Sequence, residues 1–287
     1  MVNAPFAQAM SLTPAGDGLF DAHLNDIWTI GPKLHGGVML ALLAGAARET
    51  LAEGLRASWG HLPLAGDSSA GESEPIAVSA SYLFAPSPGD MQVRTSVRKR
   101  GRQISLVDAE LVQGGRTAVH AVVTLGTPEL HVGPLLTALP PALTQLPAEP
   151  PPGVAPIASG HPMGDIFHLF GGIDVRPSLR SMSDLSERGK PEIVLWARPR
   201  DMAPDGLFAL VCGDISVPVT FPLGRFGWAP TVQLTTYLRT LPSDGWLRVL
   251  CSTNQIGQHW FDSEHTVIDS EGALVVQSRQ LAMVPVN

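Results

Sequence analysis

The sequence predicts an α+β protein built from two tandem copies of one unit, each a strand, a buried helix and a long antiparallel meander. Three observations predict this. The chain has 287 residues, more than the commonest domain size of roughly 100–150. A stretch with eight prolines, PLLTALPPALTQLPAEPPPGVAP at 134–156, divides it near the middle. The segments on either side of that stretch carry the same patterns in the same order.

In the first half, GLFDAHLNDIWTI (18–30) reads as strand. Gly37–Leu55 follows, rich in the helix formers Ala, Leu and Glu and apolar on nearly all sides for three turns, as a buried helix would be. GHLPLAGDSSAGESEP (60–75) reads as a surface loop. Residues 81–126 alternate apolar and polar with turn signals at PSPGD, KRGR and QGGR, a period-2 strand and hairpin signature. In the second half, GDIFHLFGGIDVRP (164–177) and PEIVLWARPRD (191–201) precede a short helix at Pro204–Ile215, and residues 236–284 repeat the meander. Tyr82-Leu83 matches Tyr237-Leu238, Gly101 matches Gly257 and Gly115 matches Gly272. The helices align with Gly36-Gly37 on Asp205-Gly206 and Gly45 on Asp214. The expected divisions are an N-terminal unit over 1–133, a linker over 134–160 and a C-terminal unit over 161–287.

Composition excludes several classes. Lys and Arg total 19 against 26 Asp and Glu, a formal charge of −7, which argues against a nucleic-acid binder needing a basic face. No apolar run approaches the ~20 residues of a membrane span. MVNAPFAQAM lacks the basic start and apolar block of a secretory signal. Two cysteines, Cys212 and Cys251, build neither a disulfide framework nor a zinc cluster. A reduced, cytoplasmic protein is expected, with neither metal nor cofactor: His259, Asp262, Glu264 and His265 lack ligand spacing. Neither a phosphate-cradling glycine loop nor a GxSxG elbow is present. Only 16 % of residues are charged and 44 % are hydrophobic, which points to extra buried surface at an interface or around an apolar ligand.

LHGGVMLALLAGAA (34–47) resembles the His-Gly-Gly helix start of single-domain hotdog acyl-CoA thioesterases. GRQISLVDAELVQGG (101–115) and SRQLAM (278–283) resemble the acyl-CoA thioesterase II family of double hotdogs, in which each unit is a central helix wrapped by a curved sheet. The resemblance covers nearly the whole chain outside the linker and the 60–75 loop. It implies hydrolysis of fatty acyl-CoA to free acid and CoA, and a catalytic set of Asp214 in LVCGDISVP, Thr231 in APTVQLTTYL and Gln280 in SRQLAM. Where the family strand reads more like Thr-Ile-Asp, this chain has Thr231-Val-Gln233, and Thr235 is expected on the same strand face as a rival to Thr231.

The chemistry of thioester hydrolysis fits these residue types. It needs an activated water, oxyanion stabilisation and a dry acyl channel. Asp214, a carboxylate among apolar neighbours, is expected to act as general base or to orient the water, with Thr231 and Gln280 holding that water. His35 is expected at the substrate site, and the amides of Gly36 and Gly37, unsatisfied donors at a helix start, to face the thioester carbonyl. Arg98, Lys99, Arg100 and Arg102 form a dense basic cluster, of which Arg100 and Arg102 are expected to meet CoA phosphates; a solvated hairpin tip is the competing reading. Gly45 occupies in the first half the place of Asp214, and Val123 that of Gln280, so one working site per chain is expected, between the halves. Two other functions fit the same fold: an enoyl-thioester hydratase or dehydratase, which would need a His and a carboxylate converging, and a non-catalytic acyl-thioester binder. Strand edges left open by such units make a homo-oligomer plausible.

Overall fold

The computed structural model describes residues 4–59, 73–130, 133–158, 160, 163–178 and 191–285, with backbone alone for 55–59. In chain order the elements are α1 (Pro5–Ala9), β1 (Thr13–Gly16), β2 (Leu19–Leu24), β3 (Thr29–Ile30), β4 (Lys33–Leu34), α2 (Gly36–Trp59), β5 (Glu74–Tyr82), β6 (Gly89–Lys99), β7 (Ile104–Gln113), β8 (Arg116–Gly126), α3 (Pro141–Thr144), β9 (Ile173–Pro177), β10 (Glu192–Pro199), α4 (Gly206–Cys212), β11 (Thr231–Leu238), β12 (Leu247–Ser252), β13 (Trp260–Ile268) and β14 (Leu274–Met283). The strand expected at 18–30 is broken by a 3₁₀ turn at Asp26–Trp28. Of the expected 60–75 loop, 60–72 lie outside the described residues, and Glu74 already begins β5.

Twelve strands form one antiparallel sheet in the order β1-β2-β6-β7-β8-β5-β11-β14-β13-β12-β10-β9. Alternation builds it: β7 buries Ser105, Val107, Ala109 and Leu111 while the residues between them stay wetter. β5 and β11 pair at the centre, so the strands of the first half continue into those of the second without an open edge between them. Two buried helices lie on the inner face. Val38, Leu40, Leu42 and Leu43 of α2 are fully buried, and α2 packs on β5 to β8. All seven residues of α4 are buried, against β11 to β14 and α2. Each such Leu or Val contributes about 1.5–3 kcal/mol relative to exposure. α4 is shorter than the expected Pro204–Ile215, starting two residues later and ending at Cys212, so Asp214 lies in the turn just beyond it: Asp205 is the cap, its Oδ1 accepting the Phe208 N–H at 2.8 Å.

The proline-rich stretch is a strap, not a free tether. Leu143 of α3 is buried among Val194, Leu250 and Ile268. The Trp196 indole donates to the Pro147 carbonyl at 3.0 Å and Arg248 to the Leu146 carbonyl at 3.1 Å. Proline brings no N–H that needs a partner, so donors on the sheet satisfy its carbonyls.

The glycine matches hold in space. Gly115 and Gly272 both take positive φ, 77° and 90°, in the hairpins β7–β8 and β13–β14. The tyrosine match does not hold. Tyr82 turns inward and donates to the Gly36 carbonyl at 2.9 Å, whereas Tyr237 is 43 % exposed. A one-residue offset reverses the face of a strand. The inward counterpart of Tyr82 is Leu238, whose side chain meets Gly206 as that of Tyr82 meets Gly36.

Candidate active site

The start of α2 and the end of α4 meet, and Asp214 stands between them, 8 % exposed. Its Oδ2 accepts the Gly37 N–H at 2.7 Å and its Oδ1 accepts from Gln280 Nε2 at 2.8 Å. The other Nε2 proton goes to Thr231 Oγ1 at 2.6 Å, and Gln280 Oε1 accepts from Ser263 Oγ at 2.9 Å. So Asp214 from the turn after α4, Thr231 from β11 and Gln280 from β14 converge on one another and on an amide of the first half.

The approach depends on two glycines. A Cβ on Gly37 would stand 2.9 Å from the Asp214 Cβ, and one on Gly36 would stand 2.8 Å from Asp214 Oδ2. Thr231 reaches the site through a bulge. It opposes Ala282 while Gln233 opposes Leu281, so Val232 is the extra residue. The bulge turns Thr231 to the inner face, where Ala282 and Gln280 point. The expectation that Thr235 shares that face is therefore corrected: Thr235 lies on the outer face, its hydroxyl 3.1 Å from that of Ser79.

His35 is not at the surface. It is buried, caps α2 by accepting the Val38 N–H at Nδ1 (3.3 Å), and its Nε2 lies 3.0 Å from the Asp214 carbonyl and 3.8 Å from Oδ2. An Nδ1 that accepts places the ring proton on Nε2, which donates to that carbonyl. Gly37 and Val38 thus spend their amides on Asp214 and His35, and Met39 bonds to the His35 carbonyl. The expectation that both glycine amides face a thioester is corrected: these contacts leave only the Gly36 N–H of the first turn. Arg100 and Arg102 are not brought to Asp214. The Arg100 guanidinium lies against Gly54, eighteen residues and ~27 Å along α2 from Gly36 at 1.5 Å per residue.

Burial pushes the Asp214 carboxyl above the ordinary carboxylate range, and His35, the Gly37 amide and Gln280 pull it partly back. Burial and the charge of Asp214 hold the Tyr82 phenol well up, so it stays a donor. Sequence reasoning did not single out a buried layer beneath the site. Ser216 bonds His265 at 2.9 Å, and burial drives the His265 imidazole down to about 3, so the ring is neutral. Cys251 contacts the hydroxyls of Ser216 and Ser263, and its thiol is pushed up to about 12. The register of the β13–β14 hairpin, set by its turn at Gly272, was the signal that could have placed Ser263 opposite Gln280.

The counterpart position in the first half is empty of chemistry. Gly45 faces the Leu207 side chain, and Val123 stands fully buried on β8. Among the described residues no cluster of His, Cys, Asp and Glu could hold a metal ion, and no helix is long and apolar enough to cross a membrane.

Comparison with known proteins places this geometry. The family models of the acyl-CoA thioesterase N-terminal and C-terminal domains match residues 24–126 and 142–284. The chain belongs to the acyl-CoA thioesterase II-like family. Uncharacterized proteins of Mycobacterium tuberculosis and Mycobacterium bovis are 52 % identical over 99 % of both chains. A crystal structure from Thermobifida fusca YX, proposed to be a thioesterase II, superposes with TM-score 0.77 and 26 % identity over 98 % of this chain and 97 % of that one. A hot dog fold protein of unknown function from Alicyclobacillus acidocaldarius superposes at 0.72 with 18 % identity over 98 % of each chain, a likeness of fold.

Proposed function

We propose that the protein hydrolyses fatty acyl-CoA to free acid and CoA, at a single site per chain formed between two tandem hotdog units, with the units dividing at the 134–160 strap. Membership in the thioesterase family supports the reaction class. The observation that carries the site is the buried carboxylate of Asp214 held by Gly37 and Gln280, with Thr231 on the far side of the same amide.

Each Asp214 oxygen keeps a lone pair after these bonds, and the Thr231 hydroxyl, which accepts from Gln280, still has its own proton to give. A water between them is oriented and made nucleophilic. Asp214 removes its proton as the water oxygen attacks the thioester carbonyl. The raised position of the carboxyl brings its proton affinity closer to the working pH. The oxyanion then faces the Gly36 N–H at the positive end of α2. Collapse expels the CoA thiolate and leaves the acid.

The hydratase reading gains one observation, since His35 lies 3.8 Å from Asp214 Oδ2. Both ring nitrogens are already bonded to backbone, however, so His35 is a strut between the halves and has no free nitrogen for a substrate. The experiment is direct. Purified protein is mixed with acyl-CoAs of graded chain length, and free thiol and enoyl absorbance are followed together. Thiol release supports hydrolysis; enoyl change without thiol supports the hydratase; binding with neither supports a non-catalytic binder.

A further inference from the structure

Gln280 meets two acceptors with one nitrogen. Both Nε2 protons are taken, one by Asp214 Oδ1 at 2.8 Å and one by Thr231 Oγ1 at 2.6 Å. Turned over, the same amide would set its carbonyl oxygen against the carboxylate. The group that meets the other end of the amide is on β13, outside the Asp-Thr-Gln set. Ser263 stands opposite Gln280 in register, is 3 % exposed, and its hydroxyl donates to Gln280 Oε1 at 2.9 Å. Behind it lies Cys251, whose thiol touches the hydroxyls of Ser263 and Ser216. The amide oxygen of Gln280 only accepts, so the serine proton points toward it. Ser263 and Gln280 thus form one directed pair of donors ending at Asp214 and Thr231.

We propose that Ser263 is a positioning residue of the reaction: it locks the Gln280 amide in the orientation that presents both Nε2 protons to Asp214 and Thr231. The inference rests on the hydrolytic reading of the site for its kinetic consequence and on geometry alone for the lock. Without Ser263 the Gln280 carbonyl is buried with no donor, and the amide has reason to turn. Asp214 then loses one of the three influences that hold its carboxyl down. Among the described residues the other titratable groups that interact with Asp214 are His35 before α2, Tyr82 at the end of β5 and Cys251 on β12, with His265 on β13 facing His35; of these a Ser263 substitution touches Cys251 alone, whose thiol stays protonated.

The test compares the wild type with Ser263→Ala and Ser263→Thr in two readouts. The first is the titration of the Asp214 carboxyl by carbon-13 NMR, which needs no turnover. The second is thiol release from acyl-CoA across pH. In Ser263→Ala, Asp214 should titrate at higher pH, the acid limb of kcat/KM should move the same way, and kcat should fall about tenfold, as loss of one hydrogen bond implies, with KM little changed. Ser263→Thr, which keeps the hydroxyl, should restore all three. Should Ser263→Ala fail to fold, Ser263→Cys, a weaker donor of similar size, should show the upward titration in smaller measure. A merely structural serine would lower the melting temperature and leave the Asp214 titration where it was, and that result overturns the proposal. Absence of thiol release from the wild type would overturn the thioesterase reading instead, while the titration still decides the lock.

Discussion

Gly37 and Asp214, 177 residues apart, are joined by a single hydrogen bond of 2.7 Å from backbone N–H to carboxylate Oδ2. The bond ties the first turn of α2 to the end of α4, and so ties one half of the chain to the other at the site. It also accounts for the glycine. A Cβ at position 37 would lie 2.9 Å from that of Asp214, closer than such atoms approach. Gly37→Ala should therefore push the helices apart, lowering stability by about 1–3 kcal/mol, as overpacking does, and lowering turnover with it. Chemical denaturation and thiol release on the same preparation check both.

Thr231 and Thr235 separate cleanly. The bulge at Val232 turns Thr231 inward to Gln280, while Thr235 pairs with Ser79 on the outer face. Thr231→Val should lower kcat about tenfold, the equivalent of one lost hydrogen bond. Thr235→Val should leave kcat within about twofold, since a surface substitution changes little. Equal effects in a steady-state assay would contradict the placement of the bulge.

Acid should unfold the protein partly through His265. Its imidazole, held down to about 3 by burial, is neutral in the folded state and titrates near 6.5 when unfolded. The unfolded chain thus binds the extra proton between those values, and stability falls as pH drops through that window. The cost of keeping the ring neutral at the acid end is on the order of 3–5 kcal/mol. His265→Gln should flatten the dependence of unfolding free energy on pH between about 6.5 and 3.

Asp214 works with the opposite sign. Its carboxyl is raised, so the folded state binds the proton more tightly than the unfolded chain. Its contribution is complete at pH below the unfolded value near 3.9 and is lost as pH rises through the folded one. The stability of wild type relative to Asp214→Asn should therefore decline as pH rises through that interval, measured by denaturation at a series of pH values.

Much of this was legible in the sequence because the relevant signals are local. Period-2 alternation announces strands, an all-round apolar helix announces burial, and Gly115 and Gly272 mark hairpins by the φ they must take. Asp214 could be singled out because a carboxylate among Leu, Val and Ile needs a reason to be buried. What stayed hidden depends on long-range register. Tyr82 and Tyr237 look equivalent by spacing yet face opposite ways, since one residue reverses a strand. Thr231 gains its inward direction from a bulge that β14 imposes. Ser263 enters the site only because β13 folds beside β14 and sets it against Gln280, and the partner of His35, a residue expected at the site, is a backbone carbonyl 179 residues away. The basic cluster at 98–102 does not join the Asp-Thr-Gln set: Arg100 lies against Gly54, ~27 Å along α2 from Gly36.

The central claim is that Asp214 makes a water nucleophilic toward an acyl thioester. Its most direct measurement is the rate of free-thiol release from acyl-CoA by the wild type and by Asp214→Asn, both verified as folded by their circular dichroism. Loss of a general base predicts a fall in kcat of about 10²–10⁴-fold with CoA and free acid as the wild-type products. An Asp214→Asn protein that retains kcat within about threefold of wild type would contradict it, since that leaves no general-base contribution of this size to assign.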